Sequence, residues 1–86
     1  MTHIEILNQF VLQNLKEKDL VKVTLDNGNQ IIGILSSGKV HCDVDEHKVV
    51  TNSRIGLQPP PSPQGMVYPM VIQPIYSENI IEITKI

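Results

Sequence analysis

The amino-acid sequence predicts a mainly β fold: a small, strongly bent, antiparallel open barrel of five short strands behind one N-terminal α-helix. Three observations carry that expectation. Apolar residues recur at helical spacing through the first 15 or so positions, and from Val21 they alternate with polar ones instead. Asp26-Asn27-Gly28-Asn29 lies between two alternating runs, and Asn-Gly signals a hairpin because both positions tolerate positive φ. Gly33 interrupts the returning run, and a strand glycine marks a bend or a close backbone approach, which a small barrel needs in order to curl.

The helix is expected over about residues 2–18. Thr2 and Glu5 fit a capping box, the hydroxyl accepting from the first turn and the carboxylate reaching back. Ile4, Leu7, Val11 and Leu15 recur along one stripe, widened by Phe10, which should lie on the barrel and cover an open end. Lys16 and Lys18 complement the dipole of the last turn, with an end near Asp19. The first strand follows as Val21, Val23 and Leu25 alternating with Lys22 and Thr24. Its hairpin partner runs from Gln30 to Ser37.

Residues 38–57 hold another turn and a third strand region whose register the sequence leaves open. Gln58-Pro59-Pro60-Pro61-Ser62-Pro63-Gln64-Gly65 is too rich in proline for regular structure and predicts an exposed loop over about residues 58–65. Residues 66–75 are apolar, yet Pro69 and Pro74 cannot donate to a ladder, so an irregular or edge strand is expected. Ser77-Glu78-Asn79 then turns tightly into a last strand over residues 80–86. No internal repeat is present.

A chain of 86 residues allows a single domain, residues 1–86. Folded alone it buries only about 60% of its unfolded surface, which makes a monomer marginal. Cys42 is the only cysteine, so no intrachain disulfide forms, and a lone thiol suits a reducing compartment. No four-ligand Cys/His cluster offers a structural zinc site. Self-association is the remedy that remains. The apolar last strand invites aggregation as an open edge, and head-to-tail pairing with a neighbour closes a ring if the rotation closes.

The net charge of -2 is not that of a protein gripping nucleic acid by phosphate neutralisation alone. Any nucleic-acid role must rest on a local site. The Met-Thr-His-Ile-Glu start has no basic region before an apolar core, unlike a secretory signal. No apolar run approaches the roughly 18 residues that span a bilayer. The expectation is a soluble, cytoplasmic protein with no membrane partner. No Gly-rich phosphate loop, nucleophile elbow or metalloprotease motif is present, so neither an enzyme nor a cofactor is expected.

One helix followed by five short strands, with a glycine in the second, resembles the Sm/LSm (Hfq-like) family. Residues 21–28, Val-Lys-Val-Thr-Leu-Asp-Asn-Gly, look like the opening hairpin of its first motif, and Gly33 and Leu35 fall at its strand-two glycine and leucine. Lys39-Val40-His41-Cys42-Asp43 matches the stretch that in the family holds an aspartate and a base-reading asparagine. Ile75-Tyr76-Ser77-Glu78-Asn79-Ile80 is similar to the second motif, with Tyr76-Ser77 where the family has Arg-Gly. The resemblance implies a homo-oligomeric ring that binds single-stranded RNA around its pore. It implies RNA contacts from Lys39, His41, Asp43, Tyr76 and Ser77. An alternative is a ring that serves as a scaffold for protein partners, with weak or no RNA affinity.

Each of these residues also has an ordinary role open to it. His41 stacks on a base or is a solvated loop histidine. Asp43, an acceptor without a donor, disfavours uridine and suits the two adjacent donors of guanine, or it is a solvated acid. Tyr76 stacks on a base, lines the pore or packs on a neighbouring subunit. Lys16, Lys18 and Lys39 form a basic rim or merely solubilise. His41, Asp43, Asp45 and His47 alternate as on one side of a strand, but about 20 Å separates the first from the last, so one ion cannot reach all four. A metal would use a neighbouring pair, completed by another subunit. Pro60-Pro61-Ser62-Pro63 fits a P-x-x-P ligand pattern or a stiff solvated loop.

Overall fold

The computed structural model describes residues 1–59 and 72–86. Its helix α1 (His3–Leu12) begins as the sequence dictates. The Thr2 hydroxyl accepts from the Glu5 N–H at 3.2 Å, and the Glu5 carboxylate accepts from the Thr2 N–H at 2.9 Å. The helix ends six residues earlier than expected. Asn14 adopts the left-handed conformation (φ 52°). The Leu15 N–H donates to the Phe10 carbonyl and the Asn14 N–H to that of Val11. This is a Schellman stop, closed by contact between buried Leu15 and Phe10.

The early stop also corrects the expected stripe. Ile6 and Phe10 face the sheet, whereas Ile4, Leu7 and Val11 face solvent, Val11 at 80% exposure. Leu15 reaches the core only because the chain has already left the helix. Lys16 and Lys18 belong to the following turn, where the Lys16 N–H donates to the Asp19 carboxylate and the Lys18 N–H to the Leu35 carbonyl.

The sheet holds six antiparallel strands among the described residues, one more than expected: β1 (Leu20–Leu25), β2 (Gln30–Leu35), β3 (His41–Val44), β4 (Val50–Gln58), β5 (Gln73–Tyr76) and β6 (Ile80–Lys85). β1 and β2 form the Asn-Gly hairpin, with Gly28 at φ 85° and the Leu25 N–H returning to the Asn29 carbonyl. β4 is the organising strand. Arg54 pairs with His41 of β3 and Tyr76 of β5, and Leu57 pairs with Leu35 of β2 and Gln73 of β5. A strand has two edges, and β5 holds one of them from Arg54 to Leu57. β2 and β3 therefore share the other, lying end to end like one strand broken at residues 36–40.

Gly33 meets the expectation of close approach: a Cβ there would stand 2.9 Å from the Gln58 carbonyl oxygen of β4. β6 pairs with β1 and β5 with β4, so the sheet stays open between β5 and β6. A short 3-10 turn, Ser77–Asn79, links those two strands. The core gathers the alternating Val21 and Val23 of β1, Ile55 and Leu57 of β4, and Ile80 and Ile83 of β6 beneath Ile6 and Phe10. Gln58 belongs to β4 rather than to the proline-rich loop. The rest of that loop beyond Pro59, with Pro60-Pro61-Ser62-Pro63 and Pro69, lies outside the described residues. Among the described residues no helix is long and apolar enough to cross a membrane.

Candidate functional site

Two polar surfaces meet at Tyr76. The first is a row across three strands. His41, Arg54 and Tyr76 are register partners on β3, β4 and β5. Residues directly opposite in antiparallel strands share a face, so their side chains line up about 5 Å from strand to strand. Asp43, two positions along β3 from His41, is on the same face, and so is its own partner Asn52. The Arg54 guanidinium nitrogen Nη1 donates to Asp43 Oδ2 at 3.1 Å. With the Arg54 side chain 33% exposed and Asp43 more open still, the pair contributes only about 0–1 kcal/mol to the fold. Its atoms remain accessible to a ligand.

The second surface is a cleft of about 820 Å³. β5 covers β4 only from Arg54 onward, so among the described residues the leading half of β4 has no strand on that side. The start of α1 and the 3-10 turn approach it instead, and His3, Asn52, Ser53, Tyr76, Ser77 and Glu78 line the space between. His3 Nδ1 and Ser53 Oγ share a hydrogen bond at 2.8 Å, tying the helix to β4 through a buried hydroxyl. The Met1 amine donates to the Ser77 carbonyl at 2.9 Å and to that of Ile80. The cleft walls are thus pinned at both ends. Asn52 brings an amide donor and an amide acceptor to the rim, and Tyr76 a ring 38% exposed.

The expected site residues do not all assemble. His41, Asp43 and Tyr76 share one face, brought there by β4 between them. Ser77 borders the cleft but is buried, and its neighbours Tyr76 and Glu78 are the exposed groups there. Lys39 lies apart, before β3, where its N–H donates to the Ser37 hydroxyl. Gly38 packs against the backbone of Glu17 and Lys16, so the Lys39 loop adjoins the turn that carries Lys16.

The residues missed by sequence reasoning are Arg54 and Asn52. Both are outward positions of β4, and they emerge once Ser53, Ile55 and Leu57 are recognised as the inward set. The alternation expected for His41, Asp43, Asp45 and His47 stops at the end of β3. The Asp45 carboxylate accepts from the His47 and Val49 N–H groups within a turn. Among the described residues no three His, Cys, Asp or Glu side chains converge to hold a metal.

The chain matches no protein-family model, no curated protein and no solved structure with which it was compared.

Proposed function

We propose that this chain is an Sm-like, ring-forming protein that binds single-stranded RNA, and that it does so without catalysis. The observation that carries the reading is the meeting of exposed aromatic rings with amide and guanidinium groups. Tyr76 stands beside Arg54 on the sheet face and beside Asn52 at the cleft, with His41 on the far side of Arg54. A ring offers its face to any base at about 1–3 kcal/mol per stack, while amide and guanidinium groups address the base edge. This arrangement needs no large excess of positive charge, in keeping with a net charge of -2.

The strand order supports the architecture proposed. With β2 and β3 counted as one bent strand, the sheet runs β6-β1-β2-β4-β5, a five-stranded order behind an N-terminal helix. The two strands at its ends each have an edge to offer a neighbouring copy.

The test is fluorescence anisotropy with short labelled homopolymeric RNAs at two salt concentrations. His41→Ala and Tyr76→Ala should each weaken binding by about 1–3 kcal/mol per engaged base. Lys39→Ala should instead lower the salt slope by about one for each phosphate that the ammonium had neutralised. Unchanged affinity in both ring variants would overturn the stacking site. If no RNA bound even at low salt, a scaffold for protein partners would replace the RNA reading.

A further inference from the structure

We propose that Asp43 and Arg54 act together as a reader of guanine within single-stranded RNA, a specificity that rests on the RNA-binding reading above. The two side chains form a ready-made donor-acceptor couple. Arg54 Nη1 and Asp43 Oδ2 lie 3.1 Å apart on an open face of the sheet. The guanidinium is donor only and the ionised carboxylate acceptor only.

The four bases answer this couple differently. Along its Watson–Crick edge guanine presents the O6 acceptor, then the N1–H and N2–H donors. Arg54 can donate to O6 while the two carboxylate oxygens of Asp43 accept from N1 and N2, so every group facing the base is paired. Uracil places a second carbonyl against the outer carboxylate oxygen, which repels it. Adenine offers one amino donor beside a ring acceptor, and cytosine one amino donor beside two acceptors. Each of them leaves a carboxylate oxygen without a partner, and an unpaired polar atom at a contact costs affinity.

The surroundings suit an inserted base. His41 stands two residues from Asp43 on β3, about 7 Å away on the same face, and Tyr76 stands one strand beyond Arg54. A ring is therefore available on either side of the couple for stacking. The Asn52 amide, opposite Asp43, adds a further donor and acceptor at the edge of the same row. Because Asp43 already neutralises Arg54, base reading here releases few counterions. The preference for guanine should then vary little with salt while overall affinity falls.

The experiment uses the full-length protein and four labelled RNA pentamers, AAGAA, AAAAA, AACAA and AAUAA, at about 50 mM and about 200 mM salt. The expected result is roughly tenfold tighter binding of AAGAA than of the other three, with that ratio kept at both salts. Asp43→Asn exchanges an exposed acceptor for an amide and should reduce the ratio to about threefold or less, whatever it does to the affinity for AAAAA. Arg54→Gln should do the same. Equal affinity for all four pentamers overturns guanine reading but leaves RNA binding standing, as does a preference for another base. A ratio that survives Asp43→Asn, with circular dichroism showing the fold intact, also overturns it. Failure of all four to bind overturns the RNA-binding reading itself, and the guanine proposal with it.

Discussion

Thr2 and Glu5 matter beyond the helix they start, because that helix end is also a wall of the cleft. The Glu5 carboxylate accepts a hydrogen bond from the backbone N–H of Thr2 and lies beside the Thr2 hydroxyl, and these two polar groups hold the carboxyl below its ordinary value of 4.5, the backbone bond foremost. A carboxyl depressed in the folded state stabilises the fold above its unfolded pKa, and that contribution is lost as pH falls through the lower, folded value. The capping box should therefore hold at neutral pH and release below about pH 4.5, loosening the start of α1. His3, the next residue, would then slacken its bond to Ser53. Thr2→Ala should cost about 1 kcal/mol of stability, as loss of an N-cap does. It should also flatten the acid dependence of α1 helicity, read by circular dichroism between pH 3 and pH 7. An acid transition unchanged in Thr2→Ala would show that the cap is not what titrates.

Between elements, the interaction with most consequence is one side chain against a strand edge. The Gln13 amide donates to the Ile83 carbonyl and accepts from the Lys85 N–H, both at 2.7 Å. It occupies β6 as a neighbouring strand residue would, and Gln9 holds it in place by accepting from its amide nitrogen. Gln13→Ala should cost about 1–2 kcal/mol, the net worth of two hydrogen bonds. Amide hydrogen exchange at Lys85 should quicken more than at Ile86, whose N–H donates to the Leu20 carbonyl of β1; equal quickening at both would deny Gln13 this role. Nothing in the sequence marked Gln13, because a side chain bonding a backbone 70 residues away leaves no local pattern. The helix end was different. Asn14 before an apolar Leu15 is a stop signal, but Lys16 and Lys18 prolong a helix-like charge pattern past it. The β1–β2 hairpin and the turn at Ser77 were legible because each depends on residues near in sequence. Gly33 was legible because a glycine inside a strand is itself the signal, although what it approaches, Gln58, is distant in sequence. β3 was not legible, since all four of its residues are exposed and so carry no burial rhythm. Arg54 and Asn52 stayed hidden with it: the alternation of Ser53, Ile55 and Leu57 marks them as outward, but only the pairing of β4 with β3 sets them beside His41 and Asp43.

At the scale of the whole molecule, β5 and β6 have outward edges among the described residues, and each edge carries something that limits what can pair with it. Gly56 turns its carbonyl to the Ser36 N–H on the β2 side. Its β5 partner Pro74 therefore faces its own backbone nitrogen, which has no hydrogen, outward. On β6, Gln13 holds the Ile83–Lys85 stretch, and Ile81 is the extra residue of a bulge opposite Thr24 and Leu25. Such features stop open-ended strand addition. On the ring reading proposed above, a neighbouring copy would pair along only the short stretch near Tyr76 and Ile81. The unmutated protein should sediment as an oligomer of one size, with a Tm that rises with concentration because association stabilises the folded chain. Two substitutions separate assembly from folding. Ile83 is 2% exposed within the single chain, so Ile83→Lys buries an unpaired charge and should unfold the protein at any concentration. Ile81 is 57% exposed there, so Ile81→Lys should leave a folded chain that no longer associates. Analytical ultracentrifugation with circular dichroism on both variants makes the distinction. An Ile81→Lys protein that kept the size of the parent oligomer would move the interface away from β6, and a folded monomer of the unmutated chain at micromolar concentration would remove the ring altogether.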